Sequence, residues 1–122
     1  MSAPKTFEDT LIGKPDFVQA VAKQLRELVR EELSEVDVRV YGGEIVQAVV
    51  YLILGTDNML CGIQPGKDDV LFYIHNVTES DSDVLKLEGK GKSSRHVRLT
   101  ILDGDTETEL RRLLQLAKSR AI

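Results

Sequence analysis

The stretch that decides the fold is residues 36–54, Val-Asp-Val-Arg-Val-Tyr-Gly-Gly-Glu-Ile-Val-Gln-Ala-Val-Val-Tyr-Leu-Ile-Leu. Val36, Val38 and Val40 alternate with Asp37, Arg39 and Tyr41, a period of two that predicts a strand wet on one side. Gly42-Gly43 supplies the positive φ values of a tight hairpin. Ile45 to Leu54 is apolar on both faces, apart from Gln47, and reads as the central strand. At about ten residues it falls well short of the ~20 that a membrane helix needs.

The same rhythm continues downstream. Gly55-Thr56-Asp57-Asn58 turns into a third strand at Met59 to Ile63, and Pro65-Gly66-Lys67-Asp68 into a fourth at Val70 to Ile74. Three short turns in succession make an antiparallel meander, because parallel neighbours need crossovers of a dozen residues or more. Asn76 to Ser94 is a long polar loop that changes sign midway, with short helical turns expected around Val84 to Leu87. A fifth strand follows at His96 to Leu102, ended by Asp103-Gly104.

Helices flank the strands. From about Asp16 to Leu33 an apolar stripe of Phe17, Val21, Leu25, Leu28 and Leu33 is widened by Val18 and Val29. Asp16 and Gln19 have capping-box spacing, as do Thr106 and Glu109 at the second helix. That helix carries Leu110, Leu113, Leu114 and Ala117 on one face, with Lys118 and Arg120 at its negative end. The expected fold is α+β: a two-layer sandwich of about five antiparallel strands with the N-terminal and C-terminal helices on one face. Tyr51 and Tyr73 are expected on the other face.

Composition bounds the function. The 122 residues fit one domain, with 1–14 read as an N-terminal arm and 15–122 as the domain. Sixteen Lys+Arg against twenty Asp+Glu give −4, which argues against a general nucleic-acid binder. The start of the chain lacks a signal-peptide pattern, and a single cysteine, Cys61, suits a reducing compartment, so a cytoplasmic location is expected.

Chemistry is sparse by comparison. Cys61, His75 and His96 lack metal-ligand spacing, and Glu79, Asp81 and Asp83 read as a solvated loop, so no metal is expected. A Cys61–histidine pair is the one conceivable nucleophile and base, with nothing to lower the thiol pKa. No nucleophile elbow, carboxylate pair or cofactor motif occurs, which points away from an enzyme and from a bound cofactor.

One segment stands apart. Gly89-Lys90-Gly91-Lys92-Ser93-Ser94-Arg95-His96 combines two glycines, which free backbone N–H groups to converge, with cations that attract an anion. Its spacing is not that of a P-loop, and a strand rather than a helix follows. Strand alternation puts Arg95 with Val97, Leu99 and Ile101 toward the helices. It puts His96, Arg98 and Thr100 on the other face, where His96 and Arg98 could meet Tyr51, Tyr73 or His75. Lys90, Lys92, Arg95, His96, Arg98, Tyr73 and His75 are therefore the candidate anion-binding residues. The alternative for each is ordinary cross-strand pairing and a solvated glycine turn.

Leu87 to Leu99 follows the pattern Leu-Glu-Gly-x-Gly-Lys-x-x-Arg-His-[Val/Ile]-[Lys/Arg]-Leu. With Val40 to Gly43 and Leu60-Cys61-Gly62-Ile63, it resembles the YdhG-like family of small bacterial domains of unknown function. The resemblance spans roughly Asp16 to Ala117 and implies an antiparallel sheet packed by helices. Where that family commonly has Gly-Met-Pro, this chain has Gly42-Gly43-Glu44. Some relatives are described as frataxin-like iron chaperones that use acidic surface residues, so the resemblance implies that role as an alternative. The leading expectation is a non-enzymatic domain binding a small anionic ligand or an acidic partner. A homodimeric scaffold without ligand is the third.

Overall fold

The computed structural model describes residues 6–43 and 46–121. A 3₁₀ turn at Glu8–Leu11 precedes helix α1 (Asp16–Glu32). Five strands follow: β1 (Val36–Gly42), β2 (Gln47–Ile53), β3 (Met59–Pro65), β4 (Val70–His75) and β5 (Ser94–Leu99). Helix α2 (Gly104–Arg120) closes the chain. The strands form one sheet in the order β1-β2-β3-β4-β5, every pair antiparallel. This is the expected five-stranded meander with both helices on one face.

Register assigns every strand residue to a face, since directly opposed residues point the same way. Val49 opposes Ile63 and Tyr51 opposes Cys61. Cys61 opposes Ile74 and Ile63 opposes Phe72, while Phe72 opposes Val97. These residues meet Val18, Val21, Leu25 and Leu28 of α1 and Leu110, Leu113 and Leu114 of α2 in a single core. Full burial of each large side chain contributes about 1.5–3 kcal/mol. Phe7 and Leu11, from the segment expected as an arm, belong to the same core.

Several expectations need correction. The central strand is β3; β2 lies second from the edge. β2 is nonetheless buried from Val49 through Leu52, which is why its composition looked central. Tyr51 lies against the helices, not on the open face, because it shares the phase of Val49. Helix α1 turns its Val18–Val29 side inward, leaving Phe17 45 % exposed. β5 ends at Leu99, and Ile101 is 69 % exposed instead of facing the helices.

Caps and turns differ in detail too. Asp103, not Thr106, caps α2, its carboxylate accepting from the Thr106 N–H at 2.8 Å. α1 starts after Pro15 without a side-chain cap, and the Gln19 amide donates to the Lys14 carbonyl instead. In the first hairpin Gly42 takes the positive φ, +121°, while Ile45, expected to start β2, lies outside the described residues. The helical turn of the long loop lies at Glu79–Asp81, earlier than Val84 to Leu87.

Candidate functional site

The β4–β5 ladder carries four of the seven candidate residues on the face away from the helices. Tyr73 opposes His96, Leu71 opposes Arg98 and His75 opposes Ser94. The Tyr73 and His96 rings lie 5.2 Å apart between centroids, tilted by 48°. Arg98 reaches Asp69 at 2.9 Å and Glu88 at 3.7 Å, and the bond to Asp69 raises its pKa further. His75 is half-buried, and that burial lowers its pKa.

These residues share a face without forming one pocket. His75 lines a cavity of about 400 Å³ with Asp57, Asn58 and Arg120 at the end of the sheet. Arg98 lines another, of about 340 Å³, with Lys86 and Glu88 beside β5. Tyr51, the third expected partner, is on the opposite side of the sheet.

The basic segment divides into residues that build the loop and residues that project from it. Leu87 is buried in the core. Glu88 forms a two-way backbone bridge with His96, each N–H donating to the other's carbonyl at 2.8 Å, and so covers part of the outer edge of β5. Gly89 then adopts φ +127°, a conformation that a side chain strains. Arg95 points to the helix side of β5 and is 11 % exposed. It donates to Glu79 at 2.9–3.0 Å, to the Ser94 carbonyl at 2.7 Å and to the Gly91 carbonyl. Arg95 thus clamps the two ends of the turn and ties it to the acidic half of the loop.

Lys86, Lys90 and Lys92 are exposed, and none has an ion-pair or hydrogen-bond partner among the described residues. Their ammonium groups are the free charge of the segment.

The acidic half is engaged as well. The Asp81 carboxylate is held by Arg120 at 2.8 and 3.0 Å and accepts from the Thr78 N–H at 2.7 Å, which brings its pKa down to about 2. Buried Ser82 donates to Glu109 at 2.5 Å, and Arg112 adds two bonds of 2.8 Å to the same carboxylate. Arg112 is the main reason that the Glu109 pKa also lies at about 2. These ties, which lash the loop to α2, were not visible in the sequence. Their partners are 27–39 residues apart, and only the sign change along the loop hinted at them.

Catalytic chemistry has little to work with. Cys61 is buried on the helix face, and burial pushes its thiol pKa up. His75 and His96 are on the other face of the sheet, so neither can act on that thiol. Among the described residues, no group of three His, Cys, Asp or Glu is placed to hold a metal ion, and no helix is long and apolar enough to cross a membrane.

Comparison with known proteins adds no relative: no family model, curated protein or solved structure matches the chain.

Proposed function

We propose that this protein is a non-catalytic binding domain that presents Lys86–Arg98 and the adjoining Tyr73–His96 face to an acidic partner. One observation carries the reading. Arg95 and Arg98 are already paired, whereas Lys86, Lys90 and Lys92 stand exposed without partners among the described residues, on a loop anchored at both ends. An anchored loop loses little conformational freedom on binding, so more of its electrostatic attraction appears as affinity. The Tyr73 and His96 rings beside it offer flat surface for the apolar parts of a partner.

A partner segment suits this surface better than a small free anion. Small ligands favour concave sites, and the cavities at His75 and Arg98 are separate. The resemblance to the YdhG-like family rests on the same Leu87–Leu99 motif. The iron-chaperone alternative would call on acidic groups, and Glu79 and Asp81 are taken up by arginines. A cytoplasmic setting fits the buried free Cys61.

Calorimetric titration with an oligoglutamate peptide, and separately with pyrophosphate, tests the proposal. The peptide is expected to bind the native chain with an affinity that falls as salt rises. K90E/K92E should lose that binding with its thermal stability intact, because neither lysine holds the fold. Peptide binding unchanged in K90E/K92E would refute it, and binding of pyrophosphate alone would reassign the loop to a small anion.

A further inference from the structure

The two edges of the sheet are treated differently. At β5 the Glu88 bridge, next to buried Leu87, covers part of the outer edge. At β1, which ends the sheet order, no strand is paired outside among the described residues. An uncovered edge strand offers a row of free N–H and C=O groups to another chain.

Which groups point outward follows from the ladder. The Gly43 N–H donates to the Val46 carbonyl, whereas the Ile53 N–H donates away from β1, to Asn58. Hydrogen-bonded and non-bonded pairs alternate along an antiparallel ladder. Asp37, Arg39 and Tyr41 therefore bond to β2 through Leu52, Val50 and Ala48, their register partners. Val36, Val38 and Val40 send their N–H and C=O groups to the open edge. Val38 is also 56 % exposed, above a groove of about 680 Å³ between β1 and α1.

The sequence of this edge is its own complement. Residues 36–40 read Val-Asp-Val-Arg-Val, symmetric about Val38 except that a negative charge on one side answers a positive charge on the other. We infer that β1 pairs antiparallel with β1 of a second copy of this chain, about a two-fold axis at Val38, joining the two sheets into one continuous sheet. In that register Val38 bonds its twin, Val36 bonds Val40, and Asp37 opposes Arg39 twice. Asp37–Arg39 then falls at non-hydrogen-bonded positions, where opposed side chains approach most closely.

Existing contacts leave room for this. Asp37 uses one carboxylate oxygen to accept from the Gly55 N–H, at 2.9 Å. Arg39 gives one nitrogen to exposed Asp57, at 2.9 Å, and also donates to the Tyr41 hydroxyl. The second oxygen and the remaining guanidinium donors can reach across the axis. Charge complementarity selects a second copy over an unrelated strand, because the same five residues supply both halves. The interface lies at the opposite edge of the sheet from Lys86–Arg98, so it stands or falls separately from the proposed function.

Sedimentation over a range of protein concentration tests the inference, with D37K, R39E and their mixture. The native chain should reach twice the monomer mass. Each single variant opposes like charges at both symmetric positions and should weaken the dimer roughly tenfold or more. Mixing D37K with R39E sets the introduced lysine against the introduced glutamate at one position. At the other, the unchanged Arg39 of one chain meets the unchanged Asp37 of the other, so the mixture should restore the dimer. Circular dichroism checks that each variant is folded, and recovery on mixing cannot arise from misfolding. A native chain monomeric at every concentration would overturn the inference. So would a dimer indifferent to either variant, or one that mixing fails to restore.

Discussion

Asp81 and Glu109 give the acid side of the stability profile its residue-level origin. Their carboxyl pKa values fall from the ordinary 3.8 and 4.5 to about 2, chiefly through Arg120 and Arg112. A carboxyl whose folded pKa is lowered adds stability that is fully present above its unfolded pKa. That stability is lost as pH falls through the interval down to the folded value. Thermal unfolding followed from pH 5 to pH 2 should therefore show midpoints dropping below about pH 4.5. D81N and E109Q should each be less stable at neutral pH and show a shallower acid decline. Parallel pH profiles for native and variant proteins would mean that these pairs contribute nothing.

Among the elements, the loop 76–93 is the one whose order is least expected from its composition. Polar, glycine-containing loops of this length are commonly loose, yet this one is fastened by Arg95 from β5 and by Arg112 and Arg120 from α2. Replacing Arg95 with Met keeps much of the stem and removes the clamp. R95M should speed hydrogen exchange at the amides of residues 89–94 and cost about 1–2 kcal/mol, since Glu79 remains in solvent. Unaltered exchange there would show that the Glu88–His96 bridge alone holds the turn.

The same loop shows where the sequence was readable and where it was not. Period-two alternation placed β1, and the short turns placed the strands after it and fixed the meander. β2 hid its phase because it is apolar on both faces, so Tyr51, expected on the open face, lies against the helices instead. At the second helix two capping patterns overlap, Asp103 with Thr106 and Thr106 with Glu109, and Ser82 draws Glu109 away from the cap. For the site, strand alternation correctly set His96 and Arg98 on one face and Arg95 on the other. It could not reveal that Arg95 and Arg98 are occupied, because Glu79 and Asp69 lie 16 and 29 residues away in the chain.

At the scale of the whole molecule, charge is sorted more sharply than the net −4 suggests. Arginines are largely spent within the fold, tying the loop to β5 and α2 and one helix to the other, as Arg111 does with Glu31 and Glu32. Lysines of the 86–92 segment are left for solvent or a partner. The sheet likewise has one edge partly covered beside those lysines, while β1 at the other edge has no outer strand partner among the described residues. The proposed binding loop and the proposed pairing edge therefore lie at opposite ends of a single sheet.

The most direct measurement of the proposed function is an amide-detected NMR titration of the isotope-labelled chain with the oligoglutamate peptide. Shifts should be confined to residues 86–98 and to Tyr73 across the ladder, and should disappear in K90E/K92E. Shifts centred elsewhere, or none at peptide concentrations that saturate comparable lysine clusters, would contradict the proposed role of the loop.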